Sequence, residues 1–168
     1  MRRVIVIGGN GSGKTTFSIA LAERLQLPLV HLDRLYWKGN WDHCTSEEFD
    51  TLLAQELKQP EWIIDGNFNR TIPVRLEACD TVFYFDFSTI RCLCGVLSRV
   101  IRNHGKCRPD MGGNCPERFD RHFLGDVLRF NRRNRKRYHR MLSACAGKQV
   151  VIFRNRRQVN SYLANLKS

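Results

Sequence analysis

The strongest constraint on the fold is a glycine-rich segment near the amino terminus. Residues 8–15 read Gly-Gly-Asn-Gly-Ser-Gly-Lys-Thr, which satisfies the pattern G-x-x-x-x-G-K-[ST]. The segment follows an apolar, β-branched run at 4–7 and precedes apolar residues at helical spacing. Glycines between a strand and a helix let successive backbone N–H groups converge on phosphate oxygens. The sequence therefore predicts a polyphosphate-binding loop, here called a P-loop.

The residues of this loop have complementary roles in the chemistry that the pattern predicts. Lys14 can bridge the β- and γ-phosphates of a nucleoside triphosphate, and Thr15 can offer its hydroxyl group to a magnesium ion. The amino end of the following helix adds a partial positive charge. We therefore expect ATP and Mg²⁺ as the bound groups. The residues expected to bind them are Gly8, Gly9, Asn10, Gly11, Ser12, Gly13, Lys14, Thr15 and Thr16.

The rest of the chain alternates predicted strands and helices. Apolar runs predict strands at 4–7, 29–32, 62–64, 82–85 and 150–153, and amphipathic patterns predict helices at 13–25, 45–57, 90–101, 117–145 and 155–166. This alternation favours a parallel sheet with helices on both faces. No repeat or low-complexity linker divides the chain. The sequence therefore predicts a single P-loop domain over 1–168, of α/β/α class with a five-stranded parallel sheet.

Three of the predicted strands lead into an aspartate, and parallel sheets bind ligands beyond the carboxyl ends of their strands. We expect Asp65 to support the magnesium ion, although an Asp-Gly pair can also be a simple turn. Asp33 is a candidate for accepting a proton from the acceptor group or orienting that group. Its alternative role is a helix cap or an ion-pair partner of Arg34. Asp86 is either a site residue or the cap of the helix that starts near residue 88.

The net charge of +12 is concentrated in one region of the chain. Between residues 88 and 140, fourteen Lys and Arg stand against four Asp and Glu, a net charge of +10. Such a charge indicates an anionic partner, which is nucleotide phosphates, a nucleic acid or an acidic membrane surface, and of these we do not expect a membrane. Glycines and prolines in 104–116 predict a mobile, basic lid that excludes water from the reaction.

The cysteines bear on the setting of the protein and on a possible metal. Seven scattered cysteines favour a reducing, cytoplasmic location, and no apolar run is long enough to span a membrane. His104, Cys107 and Cys115 raise the possibility of a structural zinc. Their spacing does not form paired C-x-x-C knuckles, so this is the less favoured interpretation.

The chain resembles the adenylate-kinase-like P-loop kinases, and most closely the bacterial group known as DNA topology modulation proteins. The resemblance covers nearly the full length. It rests on 8–15, on His-Leu-Asp-Arg-Leu-Tyr-Trp at 31–37, on Trp-Ile-Ile-Asp-Gly-Asn-Phe at 62–68, and on Arg-Pro-Asp-Met-Gly at 108–112 followed by Cys-Pro-Glu at 115–117. It implies the adenylate kinase strand order and a small lid around 104–118. It also implies that Arg70 contacts the substrate phosphate and that Arg99, Arg129 and Arg133 clamp phosphates from the lid side.

These observations predict an ATP-dependent kinase that moves the γ-phosphate of ATP to a small acceptor, a nucleotide or a nucleoside. The expected catalytic residues are Lys14, Asp33, Arg99, Arg129 and Arg133, and the expected acceptor-binding residues are Asp33, Arg34, Asp65 and Arg70. The alternative is a nucleic-acid-associated regulator in which nucleotide binding acts as a switch. That alternative rests on the basic region, whose surplus of cations exceeds what one triphosphate can contact.

Overall fold

The computed structural model describes residues 1–166. Five strands form its central sheet: β1 (Arg3–Gly8), β2 (Leu29–His31), β5 (Trp62–Asp65), β6 (Thr81–Phe85) and β7 (Gln149–Phe153). They pair in the order β2-β5-β1-β6-β7, and every pair is parallel. The predicted five-stranded parallel sheet is therefore confirmed. Two short strands, β3 (Trp37–Gly39) and β4 (Asp42–His43), form a separate antiparallel hairpin that the sequence analysis did not predict.

Helices fill the connections between the strands. Within residues 1–166 they are α1 (Lys14–Leu25), α2 (Leu32–Tyr36), α3 (Ser46–Leu57), α4 (Ile72–Ala78), α5 (Thr89–Asn103), α6 (Arg121–Ser143) and α7 (Arg156–Asn165). The short helices α2 and α4 were not predicted, and Leu32 belongs to α2 rather than to the second strand. The long basic helix starts at Arg121 and not at 117. The reason is its cap, because the Asp120 carboxylate accepts hydrogen bonds from the N–H groups of His122 and Phe123 at 2.8 and 3.1 Å.

Alternate residues of the central strand point to opposite faces of the sheet, and each face has its own core. Ile5 and Ile7 belong to one buried cluster, which also contains Phe49 of α3. Val4 and Val6 belong to the other, together with Phe17 of α1 and residues of α5 and α7. The sheet is thus covered by helices on both sides. Because both faces are buried, the strands are almost continuously apolar.

The parallel arrangement gathers the carboxyl ends of β1, β2 and β5 at one edge. In register, Asp65 of β5 lies beside Val6 of β1 on one side and His31 of β2 on the other. The glycine-rich loop leaves β1 at the same edge, so the site residues expected at the strand ends become neighbours. In the part of the chain that is described, none of the helices combines the length and the apolar character that crossing a membrane requires.

Candidate active site

The loop between β1 and α1 is a tight turn whose geometry depends on glycine. Its backbone takes positive φ angles of 79° at Gly11 and 88° at Gly13. A side chain at Gly11 would also collide with the backbone of Cys92 in α5, so both the angle and the space require glycine there. The Ser12 hydroxyl donates to the Gly9 carbonyl oxygen at 2.7 Å. The turn ends in the first turn of α1, where backbone N–H groups have no acceptor within the helix.

The Lys14 side chain is buried beside this turn. Its Nζ donates to the Gly9 carbonyl oxygen at 3.0 Å, and the residue is only 8% exposed. Burial lowers the pKa of Lys14, and the negative charges of Asp65 and Asp33 oppose that shift. An ammonium group held by a backbone carbonyl between carboxylates is positioned to neutralise a further anion beside the loop.

Asp65 ends β5 at the centre of this edge. Its side chain is 5% exposed, and Oδ2 lies 3.4 Å from Nδ1 of His31. The other carboxylate oxygen, Oδ1, has no hydrogen-bond partner among residues 1–166. Leaving such a buried oxygen without a donor costs free energy, so it suits a cation or a water molecule bound to one. Thr15 lines the same cavity. One hydroxyl group and one carboxylate suit magnesium, which usually keeps several waters and takes phosphates as further ligands.

Asp33 lies in the first turn of α2 and lines the same cavity. Burial raises the pKa of Asp33, and the charge of Asp65 raises it further; Arg108 and Lys14 lower it by less. This environment destabilises the ionised carboxylate and so makes it a better proton acceptor than an exposed aspartate. The structure therefore brings Asp33, Asp65 and Lys14 to one place, as the sequence predicts.

The segment after β5 is fixed by a residue that the sequence analysis missed. Arg75 of α4 is fully buried, and its guanidinium donates to the carbonyl oxygens of Gly66 at 2.9 Å, Phe68 at 3.3 Å and also Asn67. Burial lowers the pKa of Arg75 to about 10. The Asn67 side chain in turn accepts a hydrogen bond from the Gly8 N–H at 2.9 Å, which links this segment to the phosphate loop. Arg75 is therefore a positioning residue for the wall of the cavity.

The segment that was predicted as a mobile lid is folded against the β3–β4 hairpin. The Asn40 N–H donates to the Asn114 carbonyl oxygen at 2.7 Å, and the Trp41 N–H donates to Cys115 Sγ at 3.4 Å. Cys107 Sγ donates to the Asn114 side chain at 2.8 Å. Cys107 and Cys115, the two thiols considered as zinc ligands, thus form hydrogen bonds with different partners. Residues 1–166 contain no cluster of three or more His, Cys, Asp or Glu that could hold a metal ion.

A buried ion-pair network joins the lid to α5. Glu117 is 5% exposed and pairs with Arg99 Nη2 and with Arg108 Nε, each at 2.9 Å. Arg108 Nη1 also lies 2.9 Å from the Asp110 carboxylate. Arg99, one of the arginines predicted to contact phosphate, lines the cavity. Its charge is already paired with the Glu117 carboxylate.

The other predicted arginines lie elsewhere. Arg70 forms a two-pronged pair with Asp50 of α3 at 2.7 and 2.8 Å and is exposed outside the cavity. Arg34 is exposed on α2. Arg129 and Arg133 are one helical turn apart on the exposed face of α6, and Arg133 lies 3.4 Å from Asp126. None of these four arginines lines the cavity. Arg34, Arg129 and Arg133 lie on the exposed faces of their helices, and Arg70 is held against α3 by its pair with Asp50. Arg102, Arg108, Arg118 and Arg156 line the cavity instead.

Asp86 does not cap the helix that follows it. That cap is Ser88, whose hydroxyl accepts a hydrogen bond from the Arg91 N–H at 3.4 Å. The Asp86 carboxylate is 1% exposed and binds two residues of α6, Arg135 at 2.8 Å and His139 at 3.0 Å. Asp86 thus ties β6 to α6 and does not line the cavity.

Together these elements enclose one large cavity of about 1010 Å³. Among its lining residues within 1–166, six are Lys or Arg and six are Asp or Glu, so the formal charge of this described lining is balanced. The glycine-rich loop forms one side of the wall. Aromatic and amide side chains also line it, among them Trp37, Trp41, Phe68, Phe130, Asn67, Asn69 and Asn134.

Comparison with known proteins supports the fold. No protein-family model and no curated protein matches the chain. Among solved structures, the chain is similar to a protein of Chloroflexus aurantiacus J-10-fl that is provisionally named a kinase. The TM-score is 0.51 at 20% sequence identity, over 97% of this chain and 95% of that one. This likeness shows that the two proteins share one α/β fold along nearly the whole of both chains.

Proposed function

We propose that this chain is an ATP-dependent phosphotransferase that moves the γ-phosphate of ATP to a small acceptor, a nucleotide or a nucleoside. One observation carries the proposal. A glycine-rich turn at a helix amino terminus, a buried lysine, the carboxylate of Asp65 at the end of β5 and that of Asp33 in the first turn of α2 meet in a single cavity. Phosphoryl transfer requires this combination of anion positioning, charge neutralisation and proton acceptance.

The residues divide between the two substrates. Backbone N–H groups between Gly9 and Thr16 would hold the polyphosphate, with Lys14 on its β- and γ-phosphates; the N–H groups of Gly8 and Ser12 already donate within the protein. Thr15 and Asp65 would hold Mg²⁺, and the partnerless Oδ1 of Asp65 fits a water molecule of its shell. A magnesium ion in this position supplies neutralisation of the charge that develops on the phosphates. Arg156 packs against Gly13 of the loop and would contact the same nucleotide.

Asp33 faces the acceptor in this proposal. The acceptor oxygen attacks the γ-phosphorus, the bond from that phosphorus to the β–γ bridging oxygen breaks, and ADP leaves. Where the acceptor oxygen is a hydroxyl, its proton passes to the Asp33 carboxylate. The segment 104–118, which packs against the β3–β4 hairpin, would keep water away from the transferred group.

Calorimetry and a transfer assay test this proposal. Purified protein should bind ATP with an affinity that requires Mg²⁺, and it should transfer label from γ-labelled ATP to at least one nucleoside or nucleotide. The acceptor-dependent rate should exceed the rate of ATP hydrolysis in its absence. Lack of any magnesium-dependent affinity for a nucleoside triphosphate would contradict the proposal, as would hydrolysis alone with every acceptor.

A second candidate function, nucleic-acid binding, is favoured by the surface of α6. Six of its cations are exposed and have no carboxylate within ion-pair distance among residues 1–166: Arg121, Arg129, Arg132, Lys136, Arg137 and Arg140. Such a surface would contact a phosphate backbone. This candidate predicts duplex binding that falls steeply between about 50 and 200 mM salt and weakens when Arg132 and Arg137 are changed to alanine. If the affinity for a duplex changed neither with salt nor with the two substitutions, nucleic-acid binding by α6 would be contradicted.

A further inference from the structure

Given the proposed phosphotransferase function, we infer that the acceptor is an uncharged, hydroxyl-bearing compound with a planar ring, the chemistry of a nucleoside, and not a phosphate-bearing nucleotide. The inference concerns the part of the cavity around Asp33, which the proposed function leaves open. It rests on the charges, the aromatic side chains and the amides found there.

The cations near Asp33 are already neutralised by carboxylates of the protein. Arg108 lies 2.9 Å from both the Asp110 and the Glu117 carboxylates, and Arg99 shares Glu117. These contacts are largely withdrawn from water, because Glu117 and Asp110 are 5% and 8% exposed in their side chains. An acceptor phosphate would therefore have to break a buried ion pair in order to gain Arg99 or Arg108.

The remaining charges near Asp33 also oppose an anionic acceptor. The Asp33 carboxylate stands on the acceptor side in the proposed function, and magnesium–ATP itself carries a net negative charge. The cation expected to hold an acceptor phosphate, Arg70, is bound to Asp50 outside the cavity. Arg118 lines the cavity but is exposed, with its guanidinium 5.1 Å from the centre of the Trp41 ring. Like charges in such a space disfavour binding, so the arrangement selects against a second phosphate.

Aromatic side chains give the same region a surface for a planar ring. Phe68 lies in the segment fixed by Arg75, and its ring stacks on Phe49 with centroids 4.7 Å apart. Its backbone φ of 35° is unusual for a residue with a side chain, which indicates that the surrounding contacts hold it in place. Trp37 packs edge-on against Trp41, with ring centroids 5.3 Å apart. Trp37, Trp41 and Phe68 line the cavity. Aromatic faces of this kind stack on heterocyclic rings.

Neutral amide groups complete this part of the wall. The Asn69 side chain donates to the Asn134 side chain at 2.9 Å, and the Tyr138 hydroxyl donates to Asn69 Oδ1. Asn67 uses its oxygen to accept from the Gly8 N–H, which leaves its amide N–H groups for a ligand. Since the Asn134 amide is also engaged with the Phe130 carbonyl oxygen at 3.1 Å, Asn67 supplies the N–H groups for a ligand, and a neutral amide suits the polar edge of a heterocycle better than it suits a phosphate.

For a hydroxyl acceptor, the bonds formed and broken, the proton and the leaving group are all accounted for. The hydroxyl oxygen forms a bond to the γ-phosphorus of ATP, the bond from that phosphorus to the bridging oxygen of the β-phosphate breaks, and ADP leaves with its electron pair. The hydroxyl proton goes to the Asp33 carboxylate. The products are ADP and a phosphomonoester of the acceptor, and no redox partner is required.

The test compares matched acceptors with the full chain, γ-labelled ATP and Mg²⁺. The acceptors are ribonucleosides, their 5′-monophosphates, and ribose, which has hydroxyl groups but no heterocycle. We expect at least one nucleoside to be phosphorylated with a kcat/KM roughly 100-fold above that of its monophosphate. Ribose should be a poorer acceptor than that nucleoside by a similar factor, because it lacks the stacking ring.

The outcomes separate this inference from the proposed function. Preferred transfer to a monophosphate would overturn the inference and leave the proposed function standing. Equal use of ribose and nucleosides would overturn the role of the planar ring. Absence of transfer to all acceptors, with ATP only hydrolysed or not consumed, would overturn the proposed function itself and this inference with it.

A substitution provides a second measurement. Arg70→Ala breaks only the surface pair with Asp50, so kcat/KM for the nucleoside should stay within about twofold of the unmodified chain. A loss of roughly tenfold or more with any acceptor would show that Arg70 reaches the substrate, and would contradict the inference.

Discussion

Lys14→Ala is expected to lower kcat for phosphoryl transfer by roughly 10³-fold, the cost of removing a charged group that stabilises the transition state. Lys14 Nζ lies beside the glycine-rich turn, 3.0 Å from the Gly9 carbonyl oxygen, where the polyphosphate is proposed to bind. The fold should remain, because the ammonium group contributes a buried charge and not apolar packing. The pKa of Lys14 is already lowered by burial, which shows that the folded protein holds the charged form at a cost.

Three measurements check this expectation for Lys14→Ala: steady-state transfer, magnesium-dependent ATP affinity and the thermal midpoint. Lys58→Ala is a matched control, since Lys58 is an exposed residue at the end of α3 and lies outside the cavity. The control should behave as the unmodified chain. Turnover by Lys14→Ala within about tenfold of normal would show that this lysine is not part of the transfer chemistry.

Asp33→Asn is expected to lower kcat by roughly 10²–10⁴-fold with a hydroxyl acceptor, while ATP affinity changes little. The substitution keeps the shape of the side chain and removes its ability to take the proton. It should also raise the thermal midpoint at neutral pH. Burial raises the pKa of Asp33 above its unfolded value, so the folded state disfavours the ionised carboxylate at any pH above that value. Asparagine carries no charge and avoids this cost.

The pH dependence of transfer supplies an independent check on Asp33. The unmodified chain needs Asp33 ionised, so its kcat should fall as the pH drops through the raised pKa of that carboxyl. This acidic limb should be absent from the residual activity of Asp33→Asn. Asp42→Asn is the control, because Asp42 is exposed on β4 and, within residues 1–166, its carboxylate accepts a hydrogen bond only from the neighbouring His43 N–H, at 2.8 Å. An Asp33→Asn protein with normal kcat and an unchanged acidic limb would remove Asp33 from the reaction.

The sheet and the glycine-rich turn could be predicted from the sequence because their signals are local. The β-branched run before Gly8 favours a strand buried on both faces, and Gly8, Gly11 and Gly13 of the loop take the positive φ angles that glycine allows. The same holds for α3, because Thr45 and Glu48 have the spacing of a capping box, and both of its hydrogen bonds form, at 2.8 and 3.2 Å. Asp33 and Asp65 could be placed at the site because parallel strands end at one edge.

The roles of the arginines could not be read in this way. An arginine on a cavity wall and one on a solvated face have the same sequence signature, because neither contributes to the hydrophobic period. Arg99 reaches the cavity, whereas Arg129 and Arg133 face solvent, because the rotation of α5 and α6 differs. Arg75 was missed for a different reason: it lies in the short helix α4, which the hydrophobic pattern did not reveal.

The sequence by itself therefore determined the alternation of strands and helices, the turn at residues 8–15 and the edge at which Asp33 and Asp65 meet. Only the tertiary structure decided which charges face the cavity and which are paired elsewhere, such as Asp86 with Arg135 and Arg70 with Asp50. The physical reason is that backbone conformation follows from neighbouring residues, whereas ion pairing depends on contacts between residues 20 or 49 positions apart. Those contacts exist only once the helices have packed on the sheet.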